Sequence, residues 1–126
     1  MTNQMYTEIP RLLAILAAET DSYSYIDKLA NAPSREIALK YIQESLRDYN
    51  SLITRGSFDN PKAAEETKYL NTKKLDEEID RIKQTVNPRE LKETLAYIAS
   101  KALTRTIWLR RRQGAGKSGS EEGGEQ

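Results

Sequence analysis

The residues best suited to chemistry lie between Lys101 and Arg112, where five cations (Lys101, Arg105, Arg110, Arg111 and Arg112) occur without a single Asp or Glu. At 100° per residue, Lys101, Arg105, Trp108 and Arg112 fall in one sector of a helix, so three cations surround one indole. That combination can neutralise phosphates while the ring stacks on a base. The same residues also fit a solvated helix end whose charges complement the C-terminal dipole, with the Trp at a core or rim position. Five cations exceed what the dipole needs, and both readings stay open at this point. Lys40 and Arg47, with Arg35 or Arg55, are the natural further contacts if a polyanion follows the surface; taken alone they are ordinary surface charges.

Other constellations are declined. The chain of 126 residues has no cysteine and no histidine, which removes disulfides, thiolate nucleophiles, Cys-type zinc sites and the usual proton shuttle. Gly114-Ala115-Gly116-Lys117-Ser118 ends like a phosphate-binding loop, but its first glycine would stand at Arg111, and no strand precedes it. Asp76, Glu77, Glu78 and Asp80 could in principle hold Mg²⁺, yet they read as a solvated helix face. No nucleophile and base can be paired with any specificity. We therefore expect no catalytic residue, metal or cofactor, and a protein that is not an enzyme.

The elements that must position these residues are helical almost throughout. Ile9, Leu12, Leu13 and Leu16 predict a helix near 9–19, and Tyr23, Ile26, Leu29 and Ala30 a second over 22–31 that Pro33 stops. Thr20, Asp21 and Ser22 are cap-type residues that close the first and open the second. Tyr25 reads as a surface aromatic or as a half-buried ring with a satisfied hydroxyl. Ser34 caps a third helix whose stripe is Leu39, Ile42, Leu46, Tyr49 and Ile53, closed by Gly56. Gly56 to Pro61 is turn chemistry, and Asn60-Pro61 starts either a short helix through Tyr69 and Leu70 or an irregular, strand-like insertion. Leu75, Ile79, Ile82 and Val86 form a narrow seam. Asn87, Pro88 and Glu90 are a capping box for a last helix from 88 to about 112. Leu91, Leu95, Ile98, Ala102 and Leu109 share its inner sector, while Leu103 and Ile107 point to the opposite side. That helix is therefore either central or turned towards another protein. The fold class is all-α: a compact bundle of about five helices, residues 1–113, with a long basic C-terminal helix. The Gly/Ser/Glu-rich tail, 114–126, is expected to be disordered, since it lacks apolar area to bury. Its charge is −2, against +3 for the rest of the chain.

The run Asp21-Ser22-Tyr23-Ser24-Tyr25-Ile26-Asp27-Lys28-Leu29-Ala30-Asn31-Ala32, the Arg35 to Arg55 helix and the long basic final helix together resemble the small subunit of the archaeal type I-A CRISPR surveillance (Cascade) complex. The resemblance covers most of the body and implies an all-helical, non-catalytic accessory subunit. Such a subunit stacks in several copies along the crRNA-bearing filament and helps hold target DNA in the R-loop. The partners implied are the filament and large subunits, target DNA and further copies of the chain. Basic surface residues are the implied nucleic-acid contacts, here the cations already named. The segment around 56–71 is where such subunits vary. Leu103 and Ile107 become candidate contacts to a neighbouring copy or to the large subunit.

Binding by charge alone would be sequence-independent and steeply weakened by salt, with specificity left to the guide RNA. A body of net +3 binds weakly singly and well as an array. Two rivals remain: a helical protein–protein adaptor without nucleic-acid contact, and a small DNA-binding regulator of helix-turn-helix type. Against the regulator stand Pro33 and the scarcity of base-reading residues early in the third helix. No apolar run approaches the ~20 residues of a membrane span, and no basic stretch leads into an apolar one at Met1 to Glu8. The expected location is the cytoplasm.

Overall fold

The computed structural model describes residues 6–115, with side chains described as far as Arg111. Among the described residues there are six α-helices, one 3-10 turn and no strand. The order is α1 (Glu8–Thr20), α2 (Ser24–Ala30), α3 (Arg35–Arg55), α4 (Pro61–Glu66), the 3-10 turn (Thr67–Tyr69), α5 (Thr72–Gln84) and α6 (Pro88–Ala115). The fold is all-α, and the tail expected from 114 onward lies outside the described residues except for Gly114 and Ala115, which α6 includes.

The centre of the molecule is α1. Every residue from Ile9 to Ala18 except Arg11 is buried, and the helix packs against each of the other five. A helix apolar on all sides must be surrounded, and Ile9, Leu12, Leu13 and Ile15 each contribute about 1.5–3 kcal/mol by leaving water. Its C-terminus closes on Asp21, the one described non-glycine residue at positive φ (56°), whose N–H donates to the Ala17 carbonyl. That closure delays α2, which starts at Ser24 rather than at 22. Because α1 takes the centre, α6 is peripheral: its inner sector, Leu95, Ile98, Ala102 and Leu109, packs inward, and its far side stays open.

Local signals explain the other boundaries. The Ser34 Oγ accepts from the Ile37 amide at 3.2 Å, and Gly56 ends α3 at φ 71°. The buried face of α3 is Ala38, Ile42, Ser45, Tyr49 and Leu52, so the expected stripe is rotated: Leu39 and Leu46 are half-buried and Ile53 is 42% exposed. Small residues at 38 and 45 let α3 settle closely, and the Ser45 hydroxyl is satisfied by the Ile42 carbonyl at 2.7 Å. Asn60 starts α4 by accepting from the Lys62 and Ala63 amides at 2.9 and 3.0 Å, which settles the uncertain segment as helical. Val86 falls outside α5, which ends on the extended Thr85 (ψ 112°), and is exposed. The Asn87 side chain accepts from the Arg89 and Glu90 amides at 2.9 and 3.0 Å. Tyr25 is half-buried with its hydroxyl donating to Asp48 at 2.5 Å.

Candidate nucleic-acid interface

Carboxylates that the sequence presents as solvated turn out to organise the site. Asp76, Glu77 and Asp80 are exposed, but Glu78 is 0% exposed, which corrects the expectation for that residue. Its carboxylate reaches from α5 to the start of α1 and accepts from the amides of Thr7, Glu8 and Ile9 at 2.9–3.0 Å. Thr7 supplies no side-chain cap of its own, so Glu78 satisfies these orphan donors and places negative charge at the positive helix end. Glu8 is buried beside it, accepting from the Asn71 amide, the Thr7 hydroxyl and Arg11. Burial pushes its carboxyl up, but those hydrogen bonds and the Arg11 charge outweigh it and hold the group below the usual carboxylate range. Among the described residues no group of three or more acidic, Cys or His side chains could hold a metal ion.

Glu66 at the end of α4 is the second hub. Its buried Oε2 lies 3.0 Å from the Arg11 Nε and 3.0 Å from the Arg105 Nε, tying α1 and α6 together through one oxygen. Trp108, one turn beyond Arg105, is 41% exposed. Two cations ride on its ring, Lys62 Nζ at 4.8 Å and the Arg105 guanidinium carbon at 5.0 Å from the centroid. Such contacts contribute about 0.5–1 kcal/mol at exposed sites. Lys101 is exposed, with Nζ 5.9 Å from the centre of the Tyr97 ring. Tyr6 sits under Arg81, and burial raises its phenol above the ordinary value despite that charge.

The predicted cations therefore divide. Lys101, Arg105 and Trp108 come together with Arg11, Tyr6 and Tyr97, and Arg111 is exposed on the same helix. Arg110 turns the other way: it donates to the Ala18 carbonyl at 3.0 Å and pairs with Asp21 at 3.2 Å, clamping the C-terminal end of α1. Arg105 and Arg110 thus fold onto partners within the molecule, and Lys101 and Arg111 carry the least compensated charge of the described set. The Arg112 side chain lies outside the described residues. The α3 cations are not gathered with this group. Arg35 donates to the Thr85 carbonyl at 3.2 Å and pairs with Glu36. Lys40 and Arg47 are exposed among Glu36, Glu44 and Asp48, and Arg55 ends the helix, so that face is of mixed sign. Leu103 and Ile107 are 38% and 44% exposed on the outer side of α6.

Sequence reasoning missed Tyr6, Arg11, Lys62, Glu66, Glu78 and Tyr97. The spacing of Lys62 and Glu66 on α4 was available, but no local pattern announces pairing to residues 39 or more positions away.

A family of CRISPR-associated proteins, described as CRISPR-associated protein (Cas_Csa5), matches residues 12–107. The chain belongs to this family. It is also 37% identical over 98 residues to an uncharacterized protein of Archaeoglobus fulgidus, a match that covers 78% of this chain and 84% of that protein. No solved structure matches. Membership in the Cas_Csa5 family gives the chain a role in a CRISPR effector complex and agrees with the type I-A small subunit that the sequence resembles. The match ends at Ile107, so it takes in Lys101, Leu103 and Arg105 but not Trp108 or the arginines that follow. No helix among the described residues is long and apolar enough to cross a membrane.

Proposed function

We propose that the protein is a non-catalytic, cytoplasmic small subunit of a CRISPR ribonucleoprotein effector that holds target DNA in the R-loop through its phosphate backbone. The observation that carries this reading is the exposed side of α6, where Lys101 and Arg111 share a helix with a half-exposed Trp108 and no carboxylate follows Glu93. Each phosphate neutralised releases counterions, so the contact is electrostatic and independent of sequence, and pairing with the guide RNA selects the target. The mixed-sign α3 face is the weaker candidate. Leu103 and Ile107 suit the filament or large subunit, or a further copy stacked alongside, and the gain from repeated weak contacts is one of effective concentration.

The test is the salt dependence of single-stranded DNA binding by the assembled effector carrying Lys101→Ala, Arg111→Ala and Arg112→Ala. Three lost phosphate contacts should flatten the slope of log K against log salt by about 2 for each copy that touches the strand, at roughly 0.7 per contact. Unchanged affinity and slope would overturn the reading and favour the adaptor, which the exposed Leu103 and Ile107 support independently. The helix-turn-helix alternative has less support, because Arg35 and Glu36, at the start of the would-be recognition helix, are engaged with each other and with the Thr85 carbonyl.

A further inference from the structure

A pocket of about 340 Å³ opens between the start of α1 and the outer arc of α6. Its walls include three aromatic rings, Tyr6, Tyr97 and Trp108, and three cations, Arg11, Lys101 and Arg105, and no carboxylate lines it. The acids that balance two of those cations lie behind the wall: Glu66 holds Arg11 and Arg105 from below, and Glu8 holds Arg11. The guanidinium groups are thereby fixed in place, whereas Lys101 has no ion-pair partner within 4 Å among the described residues. A cleft that is aromatic and positive asks for a ligand that is flat and negative. Its volume is at the small end of ligand sites, which run from roughly 300 to 1,000 Å³.

We infer that this pocket takes one unpaired nucleotide of the bound strand, its base against the Trp108 and Tyr97 rings and its phosphate at Lys101 and Arg105. This rests on the nucleic-acid reading above and adds a base contact to a surface otherwise argued from charge. Stacking on an aromatic side chain tolerates every base, so the pocket would anchor a displaced or single strand without reading it. A duplex cannot use it, because its bases are not available to enter.

Trp108 is the one tryptophan in the chain, so tryptophan emission, excited apart from the seven tyrosines, reports on this residue alone. The experiment compares the full chain binding a dye-labelled oligothymidylate with its binding to an abasic oligomer of equal length and phosphate count, each followed by anisotropy and by Trp emission. The expected result is quenching by the oligothymidylate, no quenching by the abasic strand, and about tenfold weaker binding of the latter. Trp108→Ala should abolish that preference, Trp108→Phe should restore most of it, and Lys101→Ala should weaken both oligomers. Equal binding of the two strands with unchanged emission would overturn the pocket while leaving backbone binding intact. Failure of both strands to bind in low salt, to the chain alone and to the assembled effector alike, would overturn both.

Discussion

Replacing Glu78 with Ala should be the most damaging single change to an acidic residue in this protein. The carboxylate accepts from three amides at the start of α1, and two of the donor residues, Glu8 and Ile9, are buried. A buried donor left unsatisfied costs about 1–3 kcal/mol, while the exposed Thr7 can turn to water. Two such donors cost about 2–6 kcal/mol together, and the general cost of removing one partner from a buried charged pair, about 3–5 kcal/mol, lies within that range. Against a domain stability of about 5–15 kcal/mol this leaves little reserve. At about 4–8 °C per kcal/mol, a loss of about 3–5 kcal/mol lowers Tm by roughly 12–40 °C. Thermal unfolding followed by circular dichroism, with urea titration at 25 °C, measures it. Glu77→Ala, one residue away and exposed, should stay within about 0.5 kcal/mol of wild type. Glu78→Gln keeps an acceptor but loses the charge at the helix end, and should lie between the two. If Glu78→Ala melts no lower than Glu77→Ala, the capping role is wrong.

Two further outcomes follow from the same geometry. The folded-state pKa of Glu8 is lowered, so its stabilisation is present above the unfolded value near 4.3 and is lost as pH falls through the folded value. The gap in Tm between wild type and Glu8→Gln should therefore hold from pH 7 to about 5 and shrink in more acid solution, and parallel curves would refute the assignment. Gly56→Ala should cost about 1 kcal/mol in urea unfolding, since a Cβ there would meet only ordinary contact, 3.9 Å from the Ile53 carbonyl, and the penalty is that of φ 71° alone. Gly56→Asn should lose less, because Asn tolerates that conformation.

Much of the fold is legible in the chain because its punctuation is local. Ser34, Gly56, Asn60 and Asn87 act within three or four residues of where they stand, and each does what its type and spacing imply. The course of α6 and the exposure of Leu103 and Ile107 also follow from period alone. What periodicity cannot supply is which helix lies at the centre: Ile9, Leu12, Leu13 and Leu16 read as one stripe, although Ala14 and Ile15 between them and Ala17 and Ala18 after them are buried too. Nor can it separate Glu78 from Glu77, since only the arrival of the α1 terminus, about seventy residues earlier in the chain, turns one into a cap. The rotation of the α3 face follows from Ala38 and Ser45, which hydrophobicity alone ranks below Leu39 and Leu46. The cations named from charge are real surface features in Lys101 and Arg111, but Arg110 shows that a basic helix end can be spent on the protein's own backbone.

The two sides of α6 answer to different masters. Leu95, Ile98, Ala102 and Leu109 face α1, and substitutions there would be felt throughout the molecule. Ser100, Leu103, Thr104, Ile107 and Arg111 are exposed. Related chains can drift on that outer strip, exchanging one guest for another, while the frame beneath stays as it is.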